Sequence, residues 1–411
     1  MKNKSIWIFC QYAQEPPYNT MFRYHSWGKL LAKKGFDVTI FAGSFVHNTD
    51  IDVIEKRGTD ETIVDGVHYV YLKINKYQGN GLKRILAIMK FRKLVVQRTK
   101  KMPRPDYIVE TDAYDFTYYR RHYKNTKVIV DISDLIPLGI VEYKGTSNSH
   151  PLVKYLYAQE KKAYISCDAL IFSMEGGIDY VKERKYASKV DLNKIFHINM
   201  GIDIAQNDQN LKEATYEPPF DKNKFNIGYL GSIRVANNIK QICDAALAVQ
   251  QDGFKDIEFH IYGNGDELEN LQQYVKDKEI KNIHFYGRIE KKYIPAILTK
   301  TSANILTYKQ VGLMKYGGSQ SKLFDALAAG RPILCNAKFG YNLITRYNCG
   351  VVTDEQTPEA FKKAVLQLYN MPKAELDQMG KNGRKAAMDY DIPVLVDKFI
   401  EVLDYLDKKG E

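Results

Sequence analysis

The chain has 411 residues, 45% hydrophobic and 27% charged, enough for about two domains with a full core each. Its net charge of +11 and pI near 9.0 favour an anionic partner: a nucleotide, a nucleic acid or an acidic membrane surface. The five cysteines (Cys10, Cys167, Cys243, Cys335, Cys349) are isolated, so neither a zinc site nor a disulfide framework is expected, and no stretch approaches the roughly 18 apolar residues of a membrane span.

The apolar run that starts at Ile6 ends at Gln11. It is too short for the core of a secretion signal and reads as a first strand, 6–10, with a reducing cytoplasm as the default compartment. A Pro-rich loop follows over 11–20. Residues 21–34 have helical spacing, with Phe22, Trp27, Leu30 and Leu31 able to share one face. Gly35 stops that helix and 37–42 is the next strand. Strand, loop, helix, strand is a βαβ unit, hence a parallel sheet covered by helices. Further strands are expected at 67–72, 107–109, 127–130, 169–172 and 194–198. The loop 131–137, D-I-S-D-L-I-P, lies at a strand C-terminus, where open α/β sheets place their ligand crevice.

Between Gly81 and Pro105 nine basic residues (Lys83, Arg84, Lys90, Arg92, Lys93, Arg98, Lys100, Lys101, Arg104) are interleaved with apolar ones, and no acid intervenes. Two readings fit. One is a cationic amphipathic helix lying on an anionic membrane surface. The other is a crossover helix with a solvated basic face. The polar stretch 206–224, with Pro218-Pro219, reads as a linker between a first domain, 1–205, and a second, 225–389; a last amphipathic helix lies within 390–411.

The second half repeats the βαβ logic. Strands 225–230, 257–262 and 283–286 end in glycine turns: Gly231-Ser232-Ile233-Arg234, Gly263-Asn264-Gly265 and Gly287-Arg288-Ile289. Asn237 or Asn238 can cap the helix that follows the first turn. A strand at 303–306 leads into the densest motif, 316–334: Y-G-G-S-Q-S-K-L-F-D-A-L-A-A-G-R-P-I-L. Gly317 and Gly318 free the backbone, and Ser319 or Ser321 can cap a short helix. Gly330 suits its end, and Pro332 opens a buried strand. Lys322 sits in the first turn and Asp325 three residues later on the same face. Locally this is either an anion site at a helix N-terminus or an exposed i,i+3 ion pair. Four such turns at strand ends describe one crevice, where Arg234 and Lys322 are placed to hold a diphosphate. The eight histidines form no metal-binding spacing, and the basic residues carry no nucleic-acid motif.

The order of these motifs resembles the family 4 glycosyltransferases of GT-B type, the bacterial enzymes of O-antigen, capsule and exopolysaccharide synthesis. It rests on 134–145, 199–203, 231–234, 262–266, 285–288 and above all 316–332. The resemblance implies an α/β chain of two Rossmann-like domains facing a central cleft, the final helix packing back on the first domain. It implies retaining transfer of a hexosyl or N-acetylhexosaminyl group from a nucleotide sugar, UDP-linked and without a metal cofactor, to a lipid-linked saccharide. The setting would be the cytoplasmic face of the cell membrane, with peripheral attachment through 81–105.

On that resemblance Arg234 and Lys322 bind the donor diphosphate and act in catalysis. Asp325 binds ribose hydroxyls, Arg288 and Ile289 border the base, and Tyr316, Gly317, Gly318 and Ser319 border the sugar. Gly231, Ser232, Gly263 and Leu323 complete the donor site. Asp134 is either a polar catalytic candidate of the first domain or a helix cap. Tyr18, Asn19 and Thr20 mark the acceptor side. The chain departs from the family in three places: Gly317 stands where many members carry a glutamate, Ser133 replaces a common histidine, and the first loop has no glycine pair. Two other readings share the architecture: a nucleotide-sugar epimerase, for which no proton shuttle is evident, and a non-catalytic nucleotide-sugar-binding protein.

Overall fold

The computed structural model describes residues 4–18, 23–79, 81–111, 113–353 and 355–409. They divide into two units, 1–199 with 392–411 and 200–391.

In the first unit the apolar runs become strands β1 (Ser5–Phe9), β2 (Asp37–Gly43), β3 (Glu61–Val64), β4 (Val67–Leu72), β5 (Tyr107–Glu110), β6 (Lys127–Ile132), β7 (Ala169–Phe172) and β8 (Ile195–His197). Among the described residues they form one sheet, ordered β3-β4-β2-β1-β5-β6-β7-β8. All pairs are parallel except β3 with β4. Parallel strands are covered on both faces, which is why their sequences are nearly continuous apolar runs. β3 is an addition to the expected strands. It turns back through Asp65 (φ 52°) and Gly66 (φ 80°), the two positive values that a tight two-residue hairpin needs.

Helix Ile392–Lys408 belongs to this unit. The Phe399 ring lies 4.9 Å from that of Trp27, and Asp407 accepts from Tyr107 (2.6 Å) and Lys127 (2.8 Å). The helix Leu82–Thr99 crosses from β4 to β5 and covers the sheet with Phe91, Val95 and Val96. No described helix is long and apolar enough to cross a membrane.

The second unit has β9 (Phe225–Leu230), β10 (Ile257–Tyr262), β11 (Ile283–Gly287), β12 (Ala303–Leu306), β13 (Ile333–Cys335) and β14 (Gly350–Val352). Their order is β11-β10-β9-β12-β13-β14, all parallel. The core is Ile227, Tyr229, Phe259, Ile261 and Ile305 with the helix residues Ile242, Val249, Phe361 and Val365. The stretch expected as a linker, 206–224, opens on structured chain. Helix Ile204–Glu213 is capped by Asp203, whose carboxylate accepts from the Gln206 N–H at 2.9 Å. Asp208 is tied to Arg384 at 2.6 Å. The local polarity that suggested a linker is the solvent face of that helix.

Candidate functional site

Strand order places the site within the second unit. From β9 the chain proceeds to β10 and β11 on one side; from β12 it proceeds to β13 and β14 on the other. The switch point, where such sheets bind ligands, is therefore between β9 and β12. Their pairing stops at Asn304↔Gly228, two residues before either strand ends, so a crevice opens there.

Three glycine turns line its rim and lock into one another. Gly231 N–H donates to Tyr262 O (3.0 Å), Ile233 N–H to Asn264 O (2.9 Å) and Gly263 N–H to Gly287 O (2.8 Å). A Cβ on Gly263 would lie 1.8 Å from Gly231 O, and one on Gly265 would lie 2.0 Å from Ile233 O. These glycines are required by close backbone approach. The exposed Arg234 and Arg288 project from the same turns, and neither guanidinium has a protein partner among the described residues. Ile289 turns inward instead, packing on a cluster that includes Leu230 and Tyr262.

Lys322 spans the switch point. Its Nζ donates to Asn237 Oδ1 (3.0 Å), beyond β9, and to Thr307 O (3.4 Å), at the end of β12. It also lies 4.0 Å from the centre of the Tyr308 ring and 5.3 Å from that of Tyr229. All these partners are neutral. Loss of water pushes the Lys322 pKa down to about 7. The i,i+3 ion pair with Asp325 does not form, and Asp325 has no side-chain hydrogen bond among the described residues. Desolvation raises its carboxyl to about 6, against an opposing pull from Lys291. The Thr307 hydroxyl is buried and likewise has no protein partner among the described residues.

The helix that carries both charges, Ser321–Ala328, begins at an N-cap of Gln320, with no side-chain hydrogen bond to the first turn. Neither Ser319 nor Ser321 is the cap: Ser321 is already the first helical residue. Its first-turn N–H groups thus have no side-chain cap, an arrangement that favours an anion. Gly317 (φ 108°) turns the chain into this segment, which Tyr316 anchors from a buried position, and Gly330 (φ 65°) ends the helix. Leu323 is buried behind the segment and lines a small enclosed pocket with Leu306, Gly318, Gln320 and Phe339.

Of the two expected caps, Asn238 takes the N-cap position of the helix Ile239–Gln251 and Asn237 does not. Asn238 stands there in a left-handed conformation, its side chain donating to Gln241 Oε1 (3.0 Å) and making no bond to the first-turn N–H groups. Asn237 instead donates to Ser232 O (2.7 Å) and Oγ (2.8 Å) while accepting from Lys322. It joins the first glycine turn to Lys322, a connection invisible in sequence because the partners are 85 residues apart. Tyr308, Tyr229 and Thr307 also went unpredicted.

In the first unit Asp134 does not cap. The helix Ile136–Lys144 has Leu135 at its N-cap with no side-chain bond, and the exposed Asp134 carboxylate has no partner among the described residues. Tyr18 is half-buried; its backbone N–H donates to Glu15 O at 2.9 Å. Asn19 and Thr20 lie outside the described residues. Among the described residues no group of three His, Cys, Asp or Glu side chains is placed to hold a metal ion.

Comparison with solved structures places this architecture. Over 99% of the chain it superposes on all of sucrose-phosphate synthase from Thermosynechococcus elongatus, with a TM-score of 0.76 at 14% identity. The fold is GT-B. Anabaena HepE, solved in complex with UDP-glucose, aligns over 98% of this chain and 99% of its own with a TM-score of 0.66 and 12% identity. Within this GT-B chain, residues 212–386 match the family model described as glycosyl transferases group 1. An uncharacterized glycosyltransferase of Methanocaldococcus jannaschii is 24% identical over 149 residues, 36% of this chain and 36% of that one. The chain thus spans about a third of the length of that curated relative. The expected α/β chain with two Rossmann-like domains is borne out.

Proposed function

We propose that the protein is a retaining glycosyltransferase that moves a sugar from a nucleotide sugar, UDP-linked, to a lipid-linked saccharide during cell-surface polysaccharide synthesis. The observation that carries this reading is Lys322: a cation with only neutral partners, bridging the switch point beside a helix N-terminus without a side-chain cap. Such a place attracts an anion. The match over 212–386 to the glycosyl transferases group 1 model supports a sugar-transfer role for that anion site.

In this mechanism Lys322, Arg234 and the helix N–H groups receive the diphosphate and stabilise the negative charge that grows on it as the glycosidic bond breaks. Groups already in place when charge develops supply the largest share of many enzymic accelerations. Asp325 accepts from the ribose hydroxyls, and the Gly287–Ile289 turn borders the base. With Gly317 where a carboxylate would meet the sugar, the sugar is read by the backbone of 317–319. The acceptor hydroxyl attacks from the face the leaving group vacates, and the departing phosphate takes its proton, so no enzymic nucleophile is called for.

The membrane part of the proposal has its own support. Helix Leu82–Thr99 leaves Leu82, Ile85, Leu86 and Met89 exposed, at i, i+3, i+4 and i+7, so they form one apolar stripe. Exposed Lys83 and Lys93 flank it. Other basic residues of the segment have internal duties: Arg92 pairs with Asp115 at 2.9 Å, Arg98 pairs with Glu61, and Arg84 donates to the Tyr12 hydroxyl at 2.9 Å. The helix serves both as the crossover between β4 and β5 and as a surface suited to the cytoplasmic leaflet.

Transfer from radiolabelled UDP-sugars to a membrane lipid extract tests the reaction. Lys322→Ala and Arg234→Ala are each expected to slow turnover about 100- to 1,000-fold, as loss of one charge-stabilising donor does elsewhere. Undiminished turnover in both variants refutes the mechanism. Leu82→Gln with Leu86→Gln is expected to weaken binding to phosphatidylglycerol vesicles at least tenfold; unchanged binding refutes the membrane role.

A further inference from the structure

The first unit carries a second concentration of positive charge, away from its strand C-termini. The helices Phe116–His122 and Pro151–Ser166 lie side by side, joined by a hydrogen bond from the Thr117 hydroxyl to Gln159 Oε1 at 3.0 Å. Their facing sides line an open pocket of about 540 Å³, bordered by Phe116, Thr117, Arg120, Arg121, Lys124, Gln159, Lys162 and Ser166. That volume is within the range of small-molecule sites, roughly 300–1,000 Å³.

Each helix runs back to the start of a strand, β6 at Lys127 and β7 at Ala169. The pocket is therefore at the strand N-terminal end of the sheet. Asp134 follows the other end of the six-residue β6, about 20 Å away. The pocket is thus separate from the crevice end of its own sheet.

One cation in it is already used. Arg120 is fixed by Asp168 at 3.0 and 3.3 Å and by Thr126 O at 2.9 Å. Arg121, Lys124 and Lys162 have no acidic partner among the described residues. Arg121 can be explained as a charge that complements its helix C-terminus. Lys124 lies beyond that helix and Lys162 before the last turn of its own, so the dipole accounts for neither. Gln159 is the second, independent sign: it is only 9% exposed, its Oε1 is occupied by Thr117, and its amide N–H groups have no protein partner among the described residues. Solvent reaches this amide through the pocket, so its N–H groups are available to an acceptor that enters.

We propose that this pocket is a second anion site, built for a phosphate-bearing ligand. Arg121 supplies a planar fork, Lys124 and Lys162 two point charges, and Gln159 an uncharged donor at the base. A free phosphorylated metabolite and a phospholipid headgroup share this chemistry.

The test uses the full chain carrying Arg234→Gln and Lys322→Gln together with Leu82→Gln and Leu86→Gln, so that neither the donor crevice nor the apolar stripe of helix Leu82–Thr99 competes. Inorganic pyrophosphate is titrated calorimetrically and phosphatidylglycerol vesicles by sedimentation, before and after adding Arg121→Gln, Lys124→Gln and Lys162→Gln. These three side chains are exposed, and an unchanged melting temperature verifies folding. Pyrophosphate is expected to bind the parent and to lose at least tenfold in affinity in the triple variant. A loss confined to vesicles also supports the site and assigns it to a headgroup. Binding of both probes that is absent from the parent, or unaffected by the triple change, overturns the proposal. Because the donor charges are already removed, the result is independent of the proposed transferase activity.

Discussion

Arg23 and Asp131 form a two-pronged ion pair, at 3.1 and 3.2 Å, in which both side chains are fully buried. Every strong bond around it is satisfied. Asp131 also accepts from the Tyr24 hydroxyl at 3.0 Å, while Arg23 donates to Asn199 O (2.6 Å) and Ile198 O (3.0 Å) and lies 4.1 Å from the Trp27 ring centre. The pair pins the helix Arg23–Lys33 to the end of β6, immediately before Asp134. Removing one partner leaves the other charge buried alone. Arg23→Met is expected to lower the unfolding free energy by about 3–5 kcal/mol in urea titration. Adding Asp131→Asn should recover part of that loss. A double variant as damaged as the sum of the singles contradicts the coupling.

Affinity for a diphosphate should depend on pH through Lys322. Burial pushes its pKa down to about 7, so its charge is lost as pH rises through that value. A bound anion favours the charged form. UDP association is therefore expected to weaken from pH 6 to pH 8.5. Lys322→Arg, which stays charged, should flatten the profile, and Lys322→Met should bind weakly throughout. A flat profile in the parent protein defeats this account.

The same two charges should cost the fold stability. For Lys322 the unfolded chain binds more protons than the folded one between about pH 7 and the ordinary lysine value, so stability rises with pH in that window and the penalty is complete below it. For Asp325 the folded state holds its proton up to about pH 6, so stability falls as pH rises from the ordinary carboxyl range to that value. At pH 7 Lys322→Met and Asp325→Asn are each expected to raise the melting temperature, by about 2–4 °C for each kcal/mol relieved. A fall of several degrees in either variant would show that unseen partners stabilise the charge.

Glycines in the rim and in an exposed helix should respond oppositely to alanine. Gly265→Ala forces its turn off Ile233 O and is expected to destabilise by about 1–3 kcal/mol, with a parallel loss of UDP affinity. Gly139, within the helix Ile136–Lys144, has open space around its Cβ position. Gly139→Ala should stabilise by about 0.5–1 kcal/mol. Chemical denaturation of the two variants reads both signs.

What sequence reading captured follows from what each feature depends on. β1, β9 and β12 are visible because a strand covered on both faces is a nearly continuous apolar run, broken here only by Ser5, Asn226 and Asn304. β3 was missed although Asp65-Gly66 is a hairpin signal, since a short edge strand with exposed Ile63 looks like loop. Helix Ile204–Glu213 was hidden by its polarity and by the prolines that follow it. In the site, Lys322 and Asp325 declared themselves by a three-residue spacing on one helix. Asn237, Tyr229 and Tyr308 reach Lys322 only through the packing of β9 beside β12, and local pattern carries no trace of that.

Helix Ser321–Ala328 also acts as a ruler. Lys322 and Asp325 are offset by about 4.5 Å along its axis and about 60° around it, and the two turns between Gly317 and Gly330 give no room to adjust either value. One residue inserted between them would swing Asp325 by about 100° without altering composition, charge or helix length appreciably. The gauge would then read a different molecule. Length changes near this motif should therefore be tolerated before Gly317 or after Gly330, and not between the two charges.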